Sequence, residues 1–103
     1  MPYIIAHCWY PSTKTMEVVK KYQEILEKYP FDESLGKQLL LASSSSKDGL
    51  ENLVITEVKK QKLEDAFERE ATVFTQFGDI EGFRYEIKIW SSVDEALKRL
   101  GIG

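Results

Sequence analysis

His7 and Cys8 are the chain's one histidine and one cysteine, and they stand side by side in the stretch YIIAHCWY. An imidazole beside a thiol suggests a nucleophile with its base, or two ligands of one metal ion. Both chemistries require the side chains to converge. The stretch is aromatic or β-branched at nearly every place and is closed by Pro11, which has no amide to give a ladder, so it encodes a strand over Tyr3–Tyr10. Successive strand side chains point to opposite faces, so His7 and Cys8 part. Small Ala6 and Cys8 suit the face on which helices press close, which places Tyr3, Ile5, His7 and Trp9 on the opposite, pocket-facing side.

A partner for His7 is found far along the chain. GFRYEIKIW alternates with period two: Phe83, Tyr85, Ile87 and Ile89 on one face, Arg84, Glu86, Lys88 and Trp90 on the other. Laid antiparallel beside the first strand and paired at the midpoints, it brings Glu86 opposite His7, and opposed residues share a face. A carboxylate beside an imidazole fixes its tautomer, which suits general acid–base work or the holding of an anionic or phenolic group. The candidate ligand-binding set is therefore Tyr3, His7, Trp9, Arg84 and Glu86, with His7 the candidate catalytic group. A second reading stays open: a core or interface histidine satisfied by hydrogen bonds, beside a solvated strand edge. Cys8 reads as structural, since free cysteines are commonly buried and no positive group stands beside it in sequence.

The elements that must position these groups follow from periodicity. After Pro11, Ser12 or Thr13 can cap a helix whose Val18, Val19, Tyr22, Ile25, Leu26 and Tyr29 recur at spacings of three and four, a stripe that faces a core. Its other side carries Glu17–Lys21 and Glu24–Lys28 in the favourable acid-first order, a solvated face. Pro30 ends it. KQLLLASSSS and ENLVITEVKK read as a hairpin about KDG, with the four serines counted as loop chemistry. A second helix runs from about Leu63 to Phe77 with Leu63, Ala66, Phe67, Val73, Phe74 and Phe77 inward, stopped by Gly78. After the GFRYEIKIW strand, SSVDEALKRL opens with Ser92 and Glu95 at capping-box spacing and presents Val93, Leu97 and Leu100 inward.

The totals bound the function. A chain of 103 residues, 43% hydrophobic and 30% charged, is expected to form one globular domain spanning 1–103. Fourteen basic against seventeen acidic residues give a net charge of −3, which offers no general attraction to nucleic acid or to anionic membranes. A single cysteine and the lack of a basic-then-apolar leader point to the cytoplasm. No apolar run approaches the ~20 residues of a bilayer span. One histidine and one cysteine fall short of a transition-metal set, and neither GxxxxGK[ST] nor GxGxxG is present, so no metal and no cofactor is expected, with haem through His7 and flavin at a dimer interface left open.

The element order β-α-β-β-α-β with a short C-terminal helix specifies an α+β ferredoxin-like sandwich. Right-handed crossovers give an antiparallel sheet in the order 4-1-3-2, with the helices on one face. Strand one and most of strand three are apolar on both faces, so the face away from the helices needs a cover. Left wet, it would forfeit several kcal/mol at ~25 cal/mol per Å². A second copy laid sheet against sheet removes that cost symmetrically, and a homodimer is the expectation.

By element order and length, from YIIAHCWY through GFRYEIKIW, the chain resembles the dimeric α+β barrel superfamily, although no signature motif is present. In that superfamily ferredoxin-like protomers pair through their sheets and enclose a small-ligand pocket. The resemblance implies a homodimer holding a small apolar or aromatic ligand, with cofactor-free monooxygenase, cyclase or isomerase chemistry among the activities of its members. Two other readings stand beside it: a dimerisation or assembly module without ligand, and a tautomerase using Pro2 as an amino-terminal base.

Overall fold

The structure, a computed structural model, describes residues 1–102. The chain runs through β1 (Tyr3–Tyr10), a turn of 3-10 helix (Ser12–Lys14), α1 (Thr15–Lys28), β2 (Gly36–Ser46), β3 (Gly49–Val58), α2 (Leu63–Thr75), β4 (Arg84–Trp90) and α3 (Val93–Arg99). All strand pairs are antiparallel, and the sheet order β2-β3-β1-β4 is the ferredoxin-like 4-1-3-2 read from the other edge. No helix of the described residues is long and apolar enough to cross a membrane.

Alternation along β1 decides the faces. Ile4, Ala6, Cys8 and Tyr10 are buried and Tyr3, Ile5, His7 and Trp9 half-buried, so the first set looks towards the helices and the second away. Against the first set pack Val18 and Ile25 of α1, Phe74 of α2, and Phe77 and Ile80 beyond it. A smaller cluster of Ile4, Val58 and Ala66 closes the other end. Each such apolar side chain contributes about 1.5–3 kcal/mol when fully buried, so these few residues hold the helices to the sheet.

One expectation is overturned. The barrel of the dimeric α+β barrel superfamily is not formed: the sheet is open, with β2 and β4 as separate edges that do not pair with each other. Four strands are too few to close, since a barrel whose interior just admits side chains takes about eight. The barrel resemblance therefore does not describe this chain.

Local differences have local causes. Ser43–Ser46 are strand rather than loop, continuing β2 opposite Asn52–Gly49, with Ser43 and Asn52 joined side chain to side chain. What permits the tight reversal is Gly49, whose φ of +134° suits glycine and whose missing Cβ would meet the Tyr10 carbonyl. Leu39 is the extra residue of a bulge, so the two halves of β2 keep their faces only through that irregularity. The capping box at α3 is present: Ser92 Oγ accepts from the Glu95 amide at 3.1 Å and Glu95 Oε1 from the Ser92 amide at 3.0 Å. That Ser92 amide holds the Glu95 carboxyl below its usual range. Yet Val93 and Leu100 are 73% and 72% exposed, so α3 does not turn them inward as their spacing suggests.

Candidate functional site

The helix stripes do not close fully on the sheet. Val18 and Ile25 of α1 are buried, whereas Val19, Tyr22 and Leu26 remain 39%, 37% and 44% exposed. These three, with Leu41 of β2 and Val54 of β3, line a cavity of about 300 Å³ between α1, α2 and the sheet. Its floor is the helix-facing side of β1 and β3, Cys8, Tyr10, Asn52 and Val54, and its far wall is Val73, Phe74, Phe77 and Phe83. The aromatic wall is continuous, with Phe77 stacked on Phe83 at 4.6 Å between centroids. A volume of this size lies at the lower end of ligand sites, roughly 300–1,000 Å³, which are mostly apolar with a few placed polar groups.

Among the polar groups of the lining, which include Gln38, Ser43, Asn52 and Arg69, the acidic one is Glu70. It follows Ala66 by four residues and precedes Phe74 by four, so the helical repeat carries it inward with them. The side chain is only 10% exposed and lines the cavity. Its ionic neighbour is Arg69, whose Nη1 lies 3.6 Å from Oε2, and among the described residues it accepts no hydrogen bond. Arg69 is otherwise engaged, with Nη2 donating to the Tyr29 carbonyl at 3.0 Å and the guanidinium 5.1 Å over the Phe31 ring. Burial pushes the Glu70 carboxyl up, and the Arg69 charge pulls it part of the way back. Burial also raises the Cys8 thiol, against hydrogen bonding from Asn52, which keeps Cys8 a thiol rather than a nucleophile.

A raised carboxyl has a defined signature in stability. The folded state holds its proton to higher pH than the unfolded chain, so the stabilisation is complete below the unfolded value and lost as pH rises through the folded one. The stability of Glu70→Gln relative to the native chain should therefore grow as pH rises above 4.5, the carboxyl's ordinary value, by urea denaturation. A difference that stays constant with pH would show that the carboxyl is not buried as described.

The residues singled out from the sequence lie on the other face of the sheet. Tyr3, His7 and Trp9 of β1 stand in register with Trp90, Glu86 and Arg84 of β4, so all five candidates share that open face. The hydrogen bond of His7 goes elsewhere: Nε2 lies 2.7 Å from Oε2 of Glu51, on β3. Glu86 is instead paired with Lys88 at 2.9 Å. The His7 ring rests on Trp9, with centroids 4.1 Å apart. A more open and more polar hollow of about 570 Å³ begins beside this group, bordered by Trp9, Asp48, Glu51 and Arg84. Pro2 gives its carbonyl to the Val58 amide at 2.9 Å, an extension of the β1–β3 ladder. Among the described residues no three of His, Cys, Asp and Glu converge as a metal site would require.

Glu51 and Glu70 are the two groups that sequence reasoning passes over. Glu51 depends on the register of β3 against β1. Glu70 had a visible signal, a charge sitting at the apolar repeat of Ala66 and Phe74.

No protein-family model matches the chain, and no curated protein is detectably similar to it. Solved structures share its fold. A candidate antibiotic biosynthesis monooxygenase from Deinococcus radiodurans superposes with a TM-score of 0.58 at 8% identity, over 89% of this chain and 92% of that one. A de novo designed protein, Foldit4, gives 0.52 at 8% identity, over 89% and 99%. A formyltetrahydrofolate deformylase from Pseudomonas putida gives 0.49 at 13% identity, and this chain spans only 39% of its length. That a designed protein wears the same fold illustrates why such likeness conveys architecture and not activity.

Proposed function

We propose that the protein binds a small, largely apolar or aromatic molecule in the cavity between its helices and its sheet, and that it works as a homodimer joined through the open sheet face. One observation carries the first part: an apolar, aromatic-walled space of about 300 Å³ with a single buried carboxylate turned into it. A plain core would close such a space, because interiors pack to crystal-like density. Apolar side chains of α1 are held apart from the sheet instead.

Support for the second part lies on the opposite face. Ile5, Ile55 and Leu40 stand in register across three strands, joined by Leu53, Ala42, Tyr3 and Trp9. Around them lie Lys37, Arg84 and Lys88 with Glu51, Glu57 and Glu86, three of each sign. A two-fold interface must be complementary to itself, and a balanced rim of this kind meets its own copy without net repulsion. Strand spacing and rise give the face a plan area of roughly 500 Å² before corrugation, of the order a stable dimer buries per partner. In this arrangement Tyr3, His7, Trp9, Arg84 and Glu86 are interface residues.

Leu41→Trp tests the ligand site. Leu41 is 51% exposed on an edge strand and borders the cavity, so an indole there fills the space without disturbing the buried core. Neutral aromatic probes such as naphthalene, followed by ligand-observed NMR, should bind the native chain and lose roughly tenfold or more in affinity to this variant. Equal affinity for both proteins would place the binding elsewhere and end this reading.

A further inference from the structure

Glu70 lines the cavity with its side chain only 10% exposed, and among the described residues no group donates a hydrogen bond to it, so a donor carried by a ligand would offset the cost of its partial burial. Arg69 approaches only to 3.6 Å and spends its near hydrogen bond on the Tyr29 carbonyl. The other charged residue of the lining is Arg69, among walls that are otherwise mainly aromatic and aliphatic with Gln38, Ser43 and Asn52. We propose that the molecule this cavity takes carries a neutral hydroxyl, alcohol or phenol, on its apolar body and donates that hydroxyl to Glu70. The proposal rests on the cavity being a ligand site.

The charge around Glu70 selects among donors and acceptors. An ammonium group seated on Glu70 would stand close to the Arg69 guanidinium, which already balances the carboxylate, so a second cation meets repulsion. An anionic group meets Glu70 itself, and the guanidinium that would receive it is turned to Tyr29 and Phe31. A carbonyl alone offers the carboxylate acceptor against acceptor. A hydroxyl adds a proton without adding charge. This selection belongs to the ionised carboxylate: burial raises the carboxyl, and once protonated it keeps lone pairs for an O–H but also gains a donor that serves a carbonyl.

Four probes on one ring system separate these cases: naphthalene, 2-naphthol, 2-naphthylmethylamine and 2-naphthoate, titrated into the native chain and into Glu70→Leu by ligand-observed NMR at neutral pH. The native chain should prefer 2-naphthol over naphthalene by roughly tenfold or more, the effect of a hydrogen bond to a charged group. It should rank the amine and the acid below both. Glu70→Leu should still bind naphthalene and bring the naphthol preference close to one. Glu70→Gln, which retains a carbonyl acceptor in the same space, should show an intermediate preference and guards against misfolding of the leucine variant. A naphthol preference that survives in Glu70→Leu overturns the proposal, as does an amine that binds best. Equal binding of naphthalene and 2-naphthol by the native chain overturns it while leaving the cavity as the ligand site, and failure of all four to bind removes both.

Discussion

Ile55→Glu is expected to convert a particle of twice the 11.9 kDa chain mass into one of that mass, by light scattering or sedimentation at micromolar concentration. Ile55 lies at the middle of the open face, between Ile5 on one neighbouring strand and Leu40 on the other. Two sheets laid face to face interdigitate their side chains about 10 Å apart, so a carboxylate at this place loses its water and gains no partner. Stranding a charge in this way costs on the order of 3–5 kcal/mol, and two-fold symmetry strands two of them. The dimer should weaken by at least roughly a thousandfold, since each 1.4 kcal/mol is a factor of ten. The chain should still fold, because the packed core lies on the other side of the sheet around Ala6, Cys8 and Phe74. A native chain that already travels at 11.9 kDa would refute the dimer and leave the cavity untouched.

The second large effect concerns the cavity wall. Phe74→Ala should lower unfolding free energy by about 3–5 kcal/mol, measured by urea denaturation. Phe74 is 7% exposed and meets Tyr85 at 5.4 Å and Phe77 at 6.1 Å between ring centroids, so one side chain ties α2 to β4 and to the turn that follows the helix. Removing the ring enlarges a space that is already unfilled, and the neighbours have little reason to collapse into it. Against a typical total of about 5–15 kcal/mol, such a loss leaves a protein close to its threshold. A loss below about 1 kcal/mol would mean that the aromatic wall is not close-packed.

The two effects probe opposite faces of one sheet, and the sequence was unequal in what it said about them. Period-two alternation in YIIAHCWY and GFRYEIKIW gave both faces and their pairing, so that His7 does stand across from Glu86 and Trp9 across from Arg84. Which carboxylate meets the imidazole was beyond alternation. Glu51 reaches His7 because the β1–β3 register sets Leu53 opposite His7 and Glu51 opposite Trp9, one step diagonal on the same face, and a shift of one residue would have sent Glu51 to the other face. The serine run shows the same limit: its turn-like composition yielded to the ladder that Asn52, Glu51 and Leu50 offered it.

By itself, then, the chain's sequence determined the order of its elements, the ferredoxin-like sheet and the face on which each residue of β1 and β4 falls, because these follow from local periodicity and from short connections. Only the tertiary structure decided that the sheet stays open, that α1 stands off from it at Val19, Tyr22 and Leu26, and that Glu70 looks into the space so left. The stripe on a helix states which side turns inward, but not how far the helix is held from what it faces. That distance is set by the bulk of side chains arriving from several elements at once.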